Sequence, residues 1–212
     1  MGIMVIALDT STGGGNNGGG TSHTYAHTCT GSNLILFVAV GTNSASDLIS
    51  GVTYNTVAMT LVDKQAGTST NYSYLFYLTA PATGAHNVVI SASSTCTIYS
   101  DSASYTGAKQ SAQPDSTNKG TSTGATLALS TTVVATNCWL VASGCDFDGL
   151  SAGTGMTLRQ TSGADAIGDS NAVVGTGSQS MTWNVATTTN PTSGVIASFA
   201  PSVDSGGFFA IL

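Results

Sequence analysis

Two histidines four residues apart, His23 and His27, are the first residues whose types and spacing could do chemistry, because paired imidazoles can share a metal ion. They fall within residues 22–30, where odd positions carry His23, Tyr25, His27 and Cys29 and even positions carry small residues. Strict alternation describes a half-buried strand with the odd face inward. At about 3.3 Å per residue, positions i and i+4 of a strand stand about 13 Å apart, too far for one ion to bridge. Hydrogen-bonded core or interface histidines are therefore expected, and no metal or other cofactor. Asp146-Phe-Asp148-Gly149 places two carboxylates close together. Such a pair could flank a scissile bond or open a calcium loop, but the other calcium ligands and the terminal Glu are missing. Turn acids are expected, with a cation at Asp146 and Asp148 as the alternative.

Trp139 and Trp183 could stack on the apolar face of a sugar. Trp139 lies in an apolar run and Trp183 shares a face with Met181, so both read as core. There is no Gly-x-Ser-x-Gly elbow, and the glycines of residues 13–20 are followed by no Lys-Ser or Lys-Thr pair to cradle phosphate. Cys29, Cys96, Cys138 and Cys145 include no Cys-x-x-Cys spacing. They read as small buried hydrophobes, with one or two disulfides as the alternative. No catalytic motif emerges, and three His among many Ser neither support nor exclude a triad.

The elements that must position these residues are strands. Only 7% of the 212 residues are charged, against about 25% in an average domain. All ten acidic residues are Asp. The Glu, Lys and Arg that furnish exposed helix faces are scarce, while Thr, Ser, Asn and Gly are abundant. A net charge of −6, with Lys64, Lys109, Lys119 and Arg159 as the fixed cations, argues against nucleic-acid binding. The N-terminus lacks the basic flank of a secretion signal, Ile6 stands where myristoylation wants Ser or Thr, and no run is long enough to span a membrane.

The centre of the reading is residues 33–41, Asn-Leu-Ile-Leu-Phe-Val-Ala-Val-Gly, apolar on both faces and so expected as a strand covered on both sides. Further strands are expected at 22–30, 52–55, 57–63, 72–78, 86–91 and 98–105. In the fourth of these, Tyr72, Tyr74, Phe76 and Leu78 should share one face, with Leu75 and Tyr77 on the other. Residues 3–9 could form a short strand, and 10–20, with six glycines, read as a flexible linker. Residues 1–20 are thus expected as an arm and linker, and 202–212 as an apolar tail. Residues 110–124 read as a long polar connection. Beyond it the chain begins again: Asn137-Cys-Trp-Leu140 echoes Asn33-Leu-Ile-Leu36, Met156-Thr-Leu158 echoes Met59-Thr-Leu61, Gly177 echoes Gly84, and Ala197-Ser-Phe199 echoes Ala103-Ser-Tyr105. The expected fold is all-β: one β-sandwich of jelly-roll or related topology over 21–201, with pseudo-repeated halves at about 30–107 and 134–201 and short flexible terminal arms.

The phrases Gly51-Val-Thr-Tyr-Asn55, Val57-Ala-Met-Thr60, residues 80–91 (Ala-Pro-Ala-Thr-Gly-Ala-His-Asn-Val-Val-Ile-Ser), Ser104-Tyr-Thr-Gly107, Asn137-Cys-Trp-Leu-Val-Ala142 and Ala197-Ser-Phe-Ala-Pro201 resemble β-sandwich virion structural proteins of tailed bacteriophages and environmental viruses. The resemblance covers about residues 21–201 and carries no catalytic motif. It implies a non-enzymatic capsid decoration or fibre-like protein on the particle surface, assembled in the host cytoplasm. Reduced cysteines follow from that compartment. The implied partners are copies of the chain, with a trimer expected, and a viral coat or other virion protein. Attachment is expected through apolar arm residues Met4, Val5, Ile6, Leu8, Phe208, Phe209, Ile211 and Leu212. The alternatives are a glycan-binding adhesin or carbohydrate-binding module that would hold a host-surface glycan, and a glycoside hydrolase fragment.

Overall fold

The computed structural model describes residues 2, 4–68, 70–188 and 190–203, and over these the chain is all strand, turn and loop. The first half contains β1 (Ala7–Asn16), β2 (Gly20–Cys29), β3 (Ile35–Thr42), β4 (Ile49–Tyr54), β5 (Val57–Ala58), β6 (Thr60–Ala66), β7 (Tyr72–Thr79), β8 (Gly84–Cys96) and β9 (Ile98–Thr106). The second contains β10 (Ser116–Ser122), β11 (Thr126–Val133), β12 (Trp139–Cys145), β13 (Leu150–Ala152), β14 (Thr157–Ser162), β15 (Asp165–Asp169), β16 (Gly177–Val185) and β17 (Thr192–Phe199). Each half builds a five-stranded sheet, in the orders β1-β9-β3-β7-β6 and β10-β17-β12-β15-β14. Each half also builds a smaller outer sheet, β2-β8-β4-β5 and β11-β16-β13. All pairings are antiparallel.

The halves repeat strand for strand except for β5, which has no counterpart in the second half. The echoes in the sequence fall at matching places: β3 pairs β9 with Ile35 opposite Tyr105, and β12 pairs β17 with Trp139 opposite Phe199. Asn33 and Asn137, just before β3 and β12, both take the left-handed conformation (φ 50° and 60°) that Asn tolerates best among residues with a side chain. The equivalent strands β8 and β16 both open on a glycine of positive φ, Gly84 and Gly177.

The expected all-β sandwich architecture is present in doubled form: each half packs its five-stranded sheet against its own outer sheet, and the two five-stranded sheets pack on each other, giving four layers. Three apolar cores fill the gaps. Ile35, Phe37 and Ala39 point into the central core with Trp139, Val141, Val195, Ala197 and Phe199. Leu36, Val38 and Val40 point the other way, onto Val52, Tyr54, Val88 and Ile90 of the first outer sheet. In the second half, Leu140, Ala142 and Ile196 face Leu127, Leu129, Met181 and Trp183. A strand with a core on each side cannot alternate, which is why residues 34–40 are continuously apolar. β7 splits as read from its sequence: Tyr74 and Phe76 belong to the outer core with Tyr72 and Leu78 beside it, whereas Leu75 and Tyr77 serve the central one.

Contacts across the central seam are reciprocal. β3 lies on β12; β1 on β14 is matched by β10 on β6, and β9 on β14 and β15 by β17 on β6 and β7. This is the self-complementary geometry of a two-fold dimer interface, realised within one chain. The equivalent residues Tyr105 and Phe199 meet there, ring centroids 5.0 Å apart.

Two sequence expectations are corrected. Residues 10–16, expected within a flexible linker, belong to the edge strand β1, which starts at Ala7 inside the expected 3–9 strand and pairs along its length with β9. Its glycines answer to packing: a Cβ on Gly14 would sit 2.7 Å from the Ser100 carbonyl and the Tyr25 ring, and Gly15, at φ 74°, opens a register shift. Residues 110–124 likewise contain a strand, β10, the counterpart of β1. It pairs β17 from Ser116↔Ser198 to Ser122↔Thr192, so its ladder offsets the weak strand propensity of its polar side chains.

Candidate assembly surface

The N-terminal residues expected to form an arm are built into one end of the stack. Met4 donates its backbone N–H to the Ser202 carbonyl at 3.0 Å. Ile6 is buried in the central core and Leu8 packs against it. Burial of Ile6 contributes about 1.5–3 kcal/mol, which explains why this stretch stays on the body. Of the expected arm residues, Val5 stands out in solvent, 82% exposed. Phe208, Phe209, Ile211 and Leu212 lie outside the described residues.

Around Val5 the surface is apolar. Met4, Val5 and Ile6 line a groove of about 400 Å³ with Asn137, Trp139, Ala172 and Val173. A second groove is lined by Lys109, Ala135, Thr136, Ala200, Pro201 and Val203. The two lie at the same end, since Thr136 adjoins Asn137 and Ser202 is bonded to Met4. Val173 lines the first groove with Val5 and Val203 the second, 59% and 57% exposed, and Val134, 71% exposed, adjoins the groove residue Ala135; together the four are termed the valine rim. Elsewhere the outward faces are hydroxyl-rich, with Val57 and Leu61 the other exposed large hydrophobics among the described residues. In β11 and β16, Ala128, Ser130 and Thr132 stand opposite Thr182, Ser180 and Ser178. Among the described residues three of the fixed cations are held in ion pairs: Lys64 with Asp47, Lys119 with Asp63 at 2.8 Å, and Arg159 with Asp169 at 2.6 Å. The sequence identified Val5 but not Val134 or Val173. Valines beside polar turns read the same whether buried or exposed, and only the three-dimensional neighbours separate the cases.

The polar constellations resolve as structure. His23 and His27 both point inward from β2, as the alternation required. His23 Nε2 lies 3.0 Å from the Gly14 carbonyl, and His27 Nδ1 lies 2.9 Å from Thr12 Oγ1 and 3.0 Å from Ser102 Oγ. His23 therefore ties β1, and His27 both β1 and β9, to the outer sheet. His27 Nε2 is 3.1 Å from Ser104 Oγ, which donates at 2.7 Å to Asp9 Oδ2. That brings Ser, His and Asp together in the wrong order for nucleophilic catalysis, where the carboxylate must orient the imidazole and not hold the hydroxyl. Burial also lowers the His27 pKa to about 4, with Asp9 opposing, leaving a poor base.

Asp146 is buried. It accepts from Thr192 Oγ1 at 2.5 Å and from the Asp148 backbone N–H at 2.8 Å. The Asp148 carboxylate accepts from Asn190 at 3.0 Å. This is a closed turn of the kind expected. Among the described residues, no group of three or more His, Cys or Asp side chains is arranged to hold a metal ion. Trp183 is wholly buried, its Nε1–H donating to the Ser143 carbonyl at 3.2 Å, and Trp139 is nearly so. The four cysteines are buried free thiols. Among the described residues no helix is long and apolar enough to cross a membrane.

Comparison with known protein families, with curated proteins and with solved structures found no match.

Proposed function

We propose that the chain is a non-enzymatic structural protein of a phage particle, a capsid decoration or fibre-like surface protein that docks through its valine rim. The observation that carries this reading is the contrast between the two kinds of surface. One end presents Val5, Val134, Val173 and Val203 around two shallow grooves, while the outer sheet faces carry hydroxyls and little charge. Covering a valine is favourable by about 1.5 kcal/mol or more, and an apolar patch rimmed by polar surface is typical of an interaction site. The strand orders support the finer reading of two tandem jelly rolls, each closing one sandwich. The partner would be a second copy, most simply in a trimer at the particle surface, or the viral coat protein.

Sedimentation velocity on the purified chain and on a Val5→Asp/Val173→Asp variant tests the reading, together with incorporation into particles on co-expression with the cognate coat protein. The expected result is an oligomer or particle-bound protein for the wild type and a folded, unattached monomer for the variant. Unchanged assembly by the variant would overturn it. The adhesin reading has one observation of its own: Tyr99 and Phe147, both half-exposed, meet edge to face at 6.1 Å near Asp148. Binding on a glycan array that Tyr99→Ala abolishes would favour it.

A further inference from the structure

A second feature of the seam lies far in character from the valine rim. Asp101 on β9 and Asp165 on β15 come from opposite sheets and are both completely buried. Asp101 Oδ1 accepts from the Ser162 hydroxyl at 2.6 Å, and Ser162 also receives the Gly15 backbone N–H at 2.9 Å. The other three carboxylate oxygens, Asp101 Oδ2 and both oxygens of Asp165, have no partner at full hydrogen-bonding geometry; the backbone N–H groups of Gly14 and Ser162 act on Asp101, and those of Ala166 and Asp101 on Asp165, only as weaker donors. The surroundings offer no compensating charge. β3 contributes Gly41, so close that a Cβ there would sit 3.3 Å from Asp165 Oδ1. β12 contributes the Cys145 thiol and β2 the Tyr25 phenol, both held neutral because burial raises their pKa. β1 contributes glycines and β14 Ser162, while Arg159 of β14 is committed to Asp169. Two ionised carboxylates cannot persist together in such a place.

We infer that Asp101 and Asp165 hold a proton between the two sandwiches, so that the seam is stabilised by protonation and weakens as pH rises from the ordinary carboxylate range through neutrality. Burial moves both groups in the direction this requires, Asp101 to about 7 and Asp165, which also feels Asp101, well above the ordinary carboxylate range. A carboxyl that keeps its proton when folded and loses it when unfolded costs stability as pH increases. The buried histidines act in the opposite sense, but only below their unfolded value of about 6.5, and the buried cysteines enter only above about 8.5. Between those limits the carboxyls govern the slope. Asp146, also raised by burial, contributes in the same sense and is separated by comparing variants.

The test is urea unfolding of the full chain between about pH 6.5 and pH 8, for the wild type and for Asp165→Asn, whose amide can donate to Asp101 as the protonated carboxyl would. The wild-type folding constant should fall by up to about tenfold per pH unit, and D165N should flatten that fall. An infrared spectrum of the wild type at about pH 6.5, where exposed carboxylates are ionised, should still show a protonated carboxyl, a readout that survives if D165N fails to fold. A flat wild-type profile, an equal slope in D165N, or absence of the protonated band would overturn the inference. So would stabilisation of the wild type but not D165N by about 1 mM calcium at pH 8, which would make the pair a cation site instead.

Discussion

The face-to-face packing of the two halves predicts a measurable coupling between residues 162 positions apart in sequence. Phe37 on β3 and Phe199 on β17 are both wholly buried in the central core, ring centroids 5.2 Å apart. Substituting either by Leu keeps the site apolar and nearly filled, so each single change should cost less than or about 1.5 kcal/mol. The ring–ring contact is lost in both single variants and can be lost only once in the double variant. An aromatic pair contributes about 0.5–1.5 kcal/mol beyond its buried area, so the double variant should be more stable than the sum of the single changes by that amount. The assay is a double-mutant cycle by urea denaturation, followed by circular dichroism. Contacts with Tyr105, 6.2 Å from Phe37 and 5.0 Å from Phe199, persist in part in all four proteins and should not create coupling by themselves. Additivity within about 0.3 kcal/mol, the behaviour of distant sites, would show that the two rings do not meet and would refute the stacked arrangement.

Three further outcomes are expected. His27, with a folded pKa of about 4, leaves the folded state short of a proton between about pH 4 and its unfolded value near 6.5, so its contribution to stability rises with pH across that window; His27→Gln should remove it, read as a smaller difference between unfolding at pH 4.5 and 6.5. All four cysteines should titrate as free thiols in denaturant without reductant and react far more slowly in the native protein, because burial raises the pKa of Cys29, Cys96, Cys138 and Cys145. Deleting residues 1–16 should lower solubility and the unfolding midpoint, since it strips β1 from β9 and Ile6 from the central core; a fully soluble truncation of unchanged stability would contradict the placement of β1.

Much of the fold was legible because burial on both faces writes itself into composition. The run 34–40 announced a doubly covered strand, and the odd-numbered pattern from His23 to Cys29 announced the inward face of β2. The repeat was visible in the residues that start strands and meet across them, Asn33 with Asn137 and Tyr105 with Phe199. Most of β1, and all of β10, escaped because their strand character is tertiary: from Thr10 to Asn16 and across β10, Gly, Ser, Thr and Asn predominate and carry no apolar period, and the partner strand supplies the order. The second pair of layers escaped for a related reason. Alternation tells that a strand has a buried face, but not whether its core is shared with the same half or the other. For the candidate surface, exposed and buried valines are chemically identical in sequence, and the Asp101–Asp165 pair requires knowing which strands face each other across the seam.

The central functional claim is that the valine rim, and not the hydroxyl-rich outer sheets, is the surface that meets a partner. Hydrogen–deuterium exchange of the full chain, compared between dilute monomer and assembled protein, addresses it directly. The account predicts added protection on assembly at residues 4–6, 134–137, 172–174 and 201–203, with β2, β8, β11 and β16 unchanged. Protection appearing on those outer strands while the rim keeps its monomer exchange rates would contradict it.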